Sequence, residues 1–114
     1  MSRHAKDSNE NFLTCCLLKL GWNIKSTSQV GNGFPDAVVG RDGIIALVEF
    51  KLEVQAKPET QLTKPQLHFH SLWPAPIYII RSEWDCVQLY KVEIQRLIDL
   101  VKGASDDSLH RNLS

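Results

Sequence analysis

Apolar residues recur at Phe12, Leu13, Cys16, Leu17 and Leu20. This is the three-and-four spacing of one helix face, so residues 8–20 are predicted as a helix closed by Gly21. The period then shortens. Residues 22–28, WNIKSTS, read as a short strand and GNG at 31–33 as a turn, while 34–40 and 44–52 read as strands joined by RDG. The last two carry apolar side chains on both faces, as central strands do. A polar loop begins at 53. A short helix is predicted over 64–73, with Phe69, Leu72 and Trp73 turned inward. APIYIIRS and CVQLYKV read as fourth and fifth strands, and a final amphipathic helix covers 92–102 through Ile94, Leu97, Ile98 and Val101. The tail GASDDSLHRNLS reads as frayed. The order α-β-β-β-α-β-β-α predicts an α/β domain, a mixed sheet flanked by helices. At 114 residues the chain suits one domain, with an ordered core over about 8–102.

One stretch does not fit a plain core. GFPDAVVGRDGIIALVEFK, residues 33–51, sets Asp36, Glu49 and Lys51 in segments that otherwise read as buried strand. Charges are costly there unless something pairs with them. Asp42-Gly43 is a favoured type I′ hairpin turn, which pairs Arg41 with Ile44 and brings Asp36 directly opposite Glu49. Alternation puts Lys51 on the face of Glu49. Opposed Cβ atoms lie about 4.5–5.5 Å apart, and two carboxylates at that separation repel. A divalent cation would relieve the repulsion. A bulge at the turn would shift the register and undo the alignment.

Composition narrows the classes. Lys plus Arg and Asp plus Glu number 13 each, for a formal net charge of zero. That argues against coating nucleic acid by bulk charge and leaves room for a local basic face. Cys15, Cys16 and Cys86 have neither a disulfide framework nor zinc spacing, and they read as reduced apolar residues of a cytoplasmic protein. The polar N-terminus MSRHAKDSNE lacks a signal core, and no apolar run approaches the roughly 18 residues of a membrane span.

Pro35-Asp36, followed after a gap by Glu49-Phe50-Lys51, resembles the PD-(D/E)XK motif of the restriction-endonuclease-like nuclease superfamily. Its surroundings match: a helix bearing Glu10 upstream, the motif on a hairpin, and a helix opening with Gln66 downstream. GFPDAVVG, VEFK and LTKPQLHFHSLW look most like the VRR-NUC branch and the related Holliday-junction resolvases, over residues 8–90. The resemblance implies a restriction-endonuclease-like core and a metal-dependent DNA endonuclease. Its products would carry 5′-phosphate and 3′-hydroxyl ends. Branched DNA such as a four-way junction is the expected substrate, a homodimer the expected form, and a helicase a possible partner. Mg²⁺, with Mn²⁺ as substitute, would be held by Asp36, Glu49 and the Phe50 carbonyl, since Mg²⁺ takes oxygen ligands. Lys51 would orient the attacking water and stabilise charge on the phosphoryl group. Glu10 and Gln66 match polar helix residues that family members place near the metal.

Several of these residues have a plainer reading. Asp7-x-x-Glu10 and Thr63-x-x-Gln66 each fit a helix capping pattern. His68 and His70, two apart on a helix, do not share a face and read as surface residues rather than metal ligands. Trp22, Trp73 and Trp84 read as core or rim. With no net positive charge, DNA contacts fall to local groups such as Lys25, Lys57, Lys64 and Arg81. The rival class is a catalytically inactive nucleic-acid-binding or interaction module with a vestigial site, against which the complete Asp, Glu and Lys set stands.

Overall fold

A computed structural model describes residues 2–52 and 61–104, with side chains described within 8–52 and 61–103. Lys57 and the tail beyond residue 104 lie outside it. Helix α1 runs Ser2–Lys19, strands β1, β2 and β3 run Asn23–Ser26, Ala37–Arg41 and Ile44–Phe50, and α2 runs Lys64–Leu72. Strand β4, Ile77–Ile80, and helix α3, Glu83–Ala104, complete the order. The four strands form one mixed sheet in the order β1-β2-β3-β4. The α/β class and a mixed sheet flanked by helices are as the pattern predicts.

The hairpin register is also as predicted. Asp42 and Gly43 both take positive φ, 51° and 81°, as a type I′ turn requires. Arg41 pairs with Ile44 and Ala37 with Val48. Strand β4 lies parallel to β3, with Glu49 beside Ile79 and Phe50 beside Ile80. Such a pairing needs a long crossover, and α2 is part of it.

The core forms on one face of this sheet. Ile44, Ala46, Val48 and Phe50 of β3 and Ala37 and Val39 of β2 alternate onto that face. They meet Leu13 and Leu17 of α1, Trp22, and Cys86 and Leu89 of α3. Phe12, expected on the inward stripe of α1, is 52% exposed. Because α1 begins at Ser2, Glu10 lies inside the helix and the capping reading of Asp7-x-x-Glu10 is set aside.

The fifth strand expected over CVQLYKV does not form. Residues 83–104 are a single helix, so the last helix starts well before 92. The Ser82 hydroxyl accepts the Asp85 N–H at 3.4 Å, and Cys86, Leu89, Tyr90, Glu93, Ile94 and Leu97 follow at helical spacing. Glu93 is buried on that stripe. It accepts hydrogen bonds from Nε and Nη2 of Arg96 and from the Tyr78 hydroxyl of β4, so a charge occupies a position that would otherwise be apolar. Helix α2 differs from expectation as well. Leu72 is 69% exposed, Trp73 is exposed, and the buried residue of the helix is Gln66. No helix among the described residues is long and apolar enough to cross a membrane.

Candidate functional site at the end of the hairpin

The residues of β3 alternate. Those that enter the core leave Glu49, and Lys51 just beyond the strand, on the opposite face of the sheet. Both are buried, Glu49 to 0% exposure and Lys51 to 3%. Helix α2 provides their partners. Gln66 donates from Nε2 to Glu49 Oε1 at 3.1 Å, and its Oε1 accepts Lys51 Nζ at 2.9 Å. The same oxygen accepts the Thr63 N–H at 2.8 Å, while the Thr63 hydroxyl accepts the Gln66 N–H at 3.3 Å. An amide oxygen has two lone pairs, so Gln66 completes a capping box and bridges the two charges at once. The capping reading of this residue holds, and the same side chain also joins the two buried charges.

His70 joins this knot, against the expectation that it lies on the surface. Its Nε2 is 3.1 Å from Glu49 Oε2, and its side chain is 18% exposed. Burial, and then the nearby Lys51 ammonium, push the imidazole below its ordinary titration range. A carboxylate only accepts, so in this contact Nε2 carries a proton and donates it to Glu49 Oε2. The signal was in the sequence: Gln66 and His70 are four apart and share a helix face, whereas His68 is exposed on another.

Asp36 sits one residue before β2, half-buried. Its Oδ2 accepts the Phe50 N–H at 2.8 Å, which ties the first acid to the residue after the second. Thr27, just past β1, secures this dipeptide: its N–H donates to the Asp36 carbonyl at 2.8 Å and its hydroxyl to the Pro35 carbonyl at 2.6 Å. Asn9 on α1, which the sequence did not single out, donates from Nδ2 to the Lys51 carbonyl at 3.0 Å. Glu10, one residue on, lines a polar cleft with Asp36, Asn11, Thr14, Ser26 and Ser28, beside Phe50. The structure thus gathers the predicted residues in two adjoining groups, Asp36 with Glu10 and Glu49 with Lys51 and Gln66.

A glycine seats α2 on this end of the sheet. Gly33 has φ of 80°, and a Cβ there would overlap the Pro65 carbonyl and come within 2.8 Å of the Gln66 nitrogen. Beside this contact Phe34 packs edge-on against Phe69, with ring centroids 5.2 Å apart, and Phe69 stacks on the exposed Trp73. Trp22 is buried in the core and Trp84 is exposed. Of the basic groups, Lys25 and Lys64 are exposed, while Arg81 donates to the Leu52 carbonyl at 2.9 Å.

The donors at the hairpin end are oxygens: two carboxylates and the carbonyl of Phe50. Among the described residues no group of three or more His, Cys, Asp and Glu side chains is arranged to hold a metal ion. An oxygen set with one or two carboxylates suits Mg²⁺ or Mn²⁺, which keep water and phosphate as their other ligands. Comparison of the chain with family models, with curated proteins and with solved structures returns no match.

Proposed function

We propose that the chain is a metal-dependent DNA endonuclease that hydrolyses phosphodiester bonds, acting on branched DNA such as four-way junctions and working as a homodimer. One observation carries the reading: a fully buried glutamate and a nearly buried lysine, two residues apart, are bridged by one glutamine beside a second acid fastened to the same strand end. Removing two charges from water costs several kcal/mol each, and apolar residues of similar size would commonly be as stable or more so. A polar group of this kind suits a site better than a core.

The residues divide the work as follows. Asp36, Glu49 and the Phe50 carbonyl would hold Mg²⁺ or Mn²⁺, and the bound ion supplies a polarised phosphate and a more acidic water. Lys51, kept in place by Gln66, offers a fixed positive charge where negative charge grows on the phosphoryl oxygens. Gln66 links the Lys51 ammonium and the Glu49 carboxylate through one amide, which holds both side chains in place. Glu10 and the hydroxyls of Thr14, Ser26 and Ser28 give the adjoining cleft polar walls.

The test is cleavage of linear, flap, splayed and four-way DNA with Mg²⁺, with Mn²⁺ and with chelator, by the wild type and by Glu49→Gln. Cutting that needs the cation and is lost in Glu49→Gln supports the reading. DNA binding without cutting at any cation concentration overturns it in favour of an inactive binding module.

A further inference from the structure

Glu49 is held at both ends of its carboxylate. Gln66 meets Oε1 and His70 meets Oε2, each at 3.1 Å, and both donors come from one face of α2. A glutamate side chain has three rotatable bonds, and a single donor leaves its carboxylate free to turn about the last of them. Two donors on different oxygens remove that freedom. We infer that His70 is a positioning residue, which with Gln66 presents the Glu49 carboxylate to a divalent cation in one orientation. The inference rests on the nuclease reading for the cation and on the structure alone for the clamp.

The clamp depends on how far the donor reaches. The nitrogen in contact is Nε2, the far nitrogen of the ring. A glutamine side chain sets its amide nitrogen at a similar distance from the backbone, whereas asparagine stops one carbon short. Loss of an outer hydrogen-bond partner of a metal-binding carboxylate commonly weakens the metal by about 10–100-fold. His70→Ala and His70→Asn should therefore bind Mn²⁺ at least tenfold more weakly than the wild type, and His70→Gln within about threefold. A ring that ligated the ion directly would instead lose binding in all three variants.

The experiment is Mn²⁺ binding by electron paramagnetic resonance for the four proteins, each checked for native circular dichroism. It is joined to a ¹⁵N-resolved proton spectrum of the metal-free wild type. A ring N–H held on Glu49 exchanges slowly enough to be seen, and its absence from His70→Gln assigns it. That resonance, with the Ala, Asn and Gln order above, supports the inference. A missing resonance, equal Mn²⁺ affinity in His70→Ala, or equal losses in Asn and Gln overturns it. A wild type that shows the resonance but binds no Mn²⁺ overturns the nuclease reading and the presentation to a cation, and supports the clamp on Glu49.

Discussion

The Asp36 carboxylate accepts the Phe50 amide at 2.8 Å, so the first acid of the hairpin is anchored to the backbone between Glu49 and Lys51. This bond keeps the strand ends together beyond the last paired residues, Ala37 and Val48. An asparagine retains an oxygen for the Phe50 N–H, but an alanine does not. Asp36→Asn should melt within a few degrees of the wild type in chelator. Asp36→Ala should lose about 1–3 kcal/mol, the cost of an unsatisfied amide. Both should lose most of the rise in melting temperature that Mn²⁺ gives the wild type. Thermal melts with and without Mn²⁺ check this, and a full Mn²⁺ shift in Asp36→Asn would remove Asp36 from the site.

Gly33 is where α2 meets the loop that leads into Asp36. Gly33→Ala should cost at least about 1–3 kcal/mol, because the added methyl overlaps the Pro65 carbonyl and the residue sits at positive φ. Urea denaturation measures the loss. A change under about 0.5 kcal/mol, the usual scatter of surface substitutions, would show that α2 does not rest on this contact.

Thr63 and Gln66 separate capping from the site. Thr63→Ala removes only the cap and should cost about 1 kcal/mol. Gln66→Ala keeps the bond from its backbone N–H to the Thr63 hydroxyl but removes the return bond from the Thr63 N–H together with the bridge to Lys51 and Glu49, so it should destabilise more and lower cleavage at least tenfold while Thr63→Ala lowers it little. Lys51→Met should keep a native spectrum and abolish cleavage. Equal cleavage rates for Thr63→Ala and Gln66→Ala would confine Gln66 to its capping role.

The Glu93 cluster gives the fold a pH dependence of its own. Hydrogen bonds from Arg96, opposed by burial, hold Glu93 below its ordinary value of 4.5. In that window the unfolded chain binds the extra proton, so stability is complete above 4.5 and is lost as pH falls through the folded value. Burial and the neighbouring Glu93 push the Tyr78 hydroxyl up from 10.0 to about 12. Here the unfolded chain loses its proton first, so stability present below pH 10 declines as pH rises toward 12. Glu93→Gln should flatten the acid limb and Tyr78→Phe the alkaline limb of melting temperature against pH. Unchanged limbs would show that these groups do not link α3 to β4.

The hairpin was legible because Asp42-Gly43 imposes its own geometry, and that local rule fixes the register from Arg41–Ile44 to Ala37–Val48 with no tertiary information. The N-cap of α2 was legible for the same reason. The start of α3 was misread. Val87, Tyr90 and Val92 favour a strand in a short window, and the helical stripe is interrupted by Glu93, whose burial makes sense only once Arg96 and Tyr78 are seen around it. His70 is legible through Gln66, its neighbour on the helix, and not through His68, its neighbour in the sequence. Leu72 and Trp73 are exposed, although the apolar stripe of a short helix commonly lies on a core, because α2 packs elsewhere. It lies on the charged end of β3.

That placement makes the site itself the fastening of α2. The core includes no residue of this helix, and its buried side chain, Gln66, grips Lys51 and Glu49. Among the described residues, the contacts that tie α2 to the sheet, beside those of Gly33 and Phe34, are the same polar groups that would do chemistry on the nuclease reading. An element held in this way opens more readily than the sheet beneath it. Each opening would withdraw Gln66 and His70 together from Lys51 and Glu49. On the nuclease reading, the rate at the site would be the rate of the closed form multiplied by the fraction of time the helix is down. A ligand that bridges Glu49 and Lys51 would raise both factors at once, acting as reactant and as the pin of its own hinge.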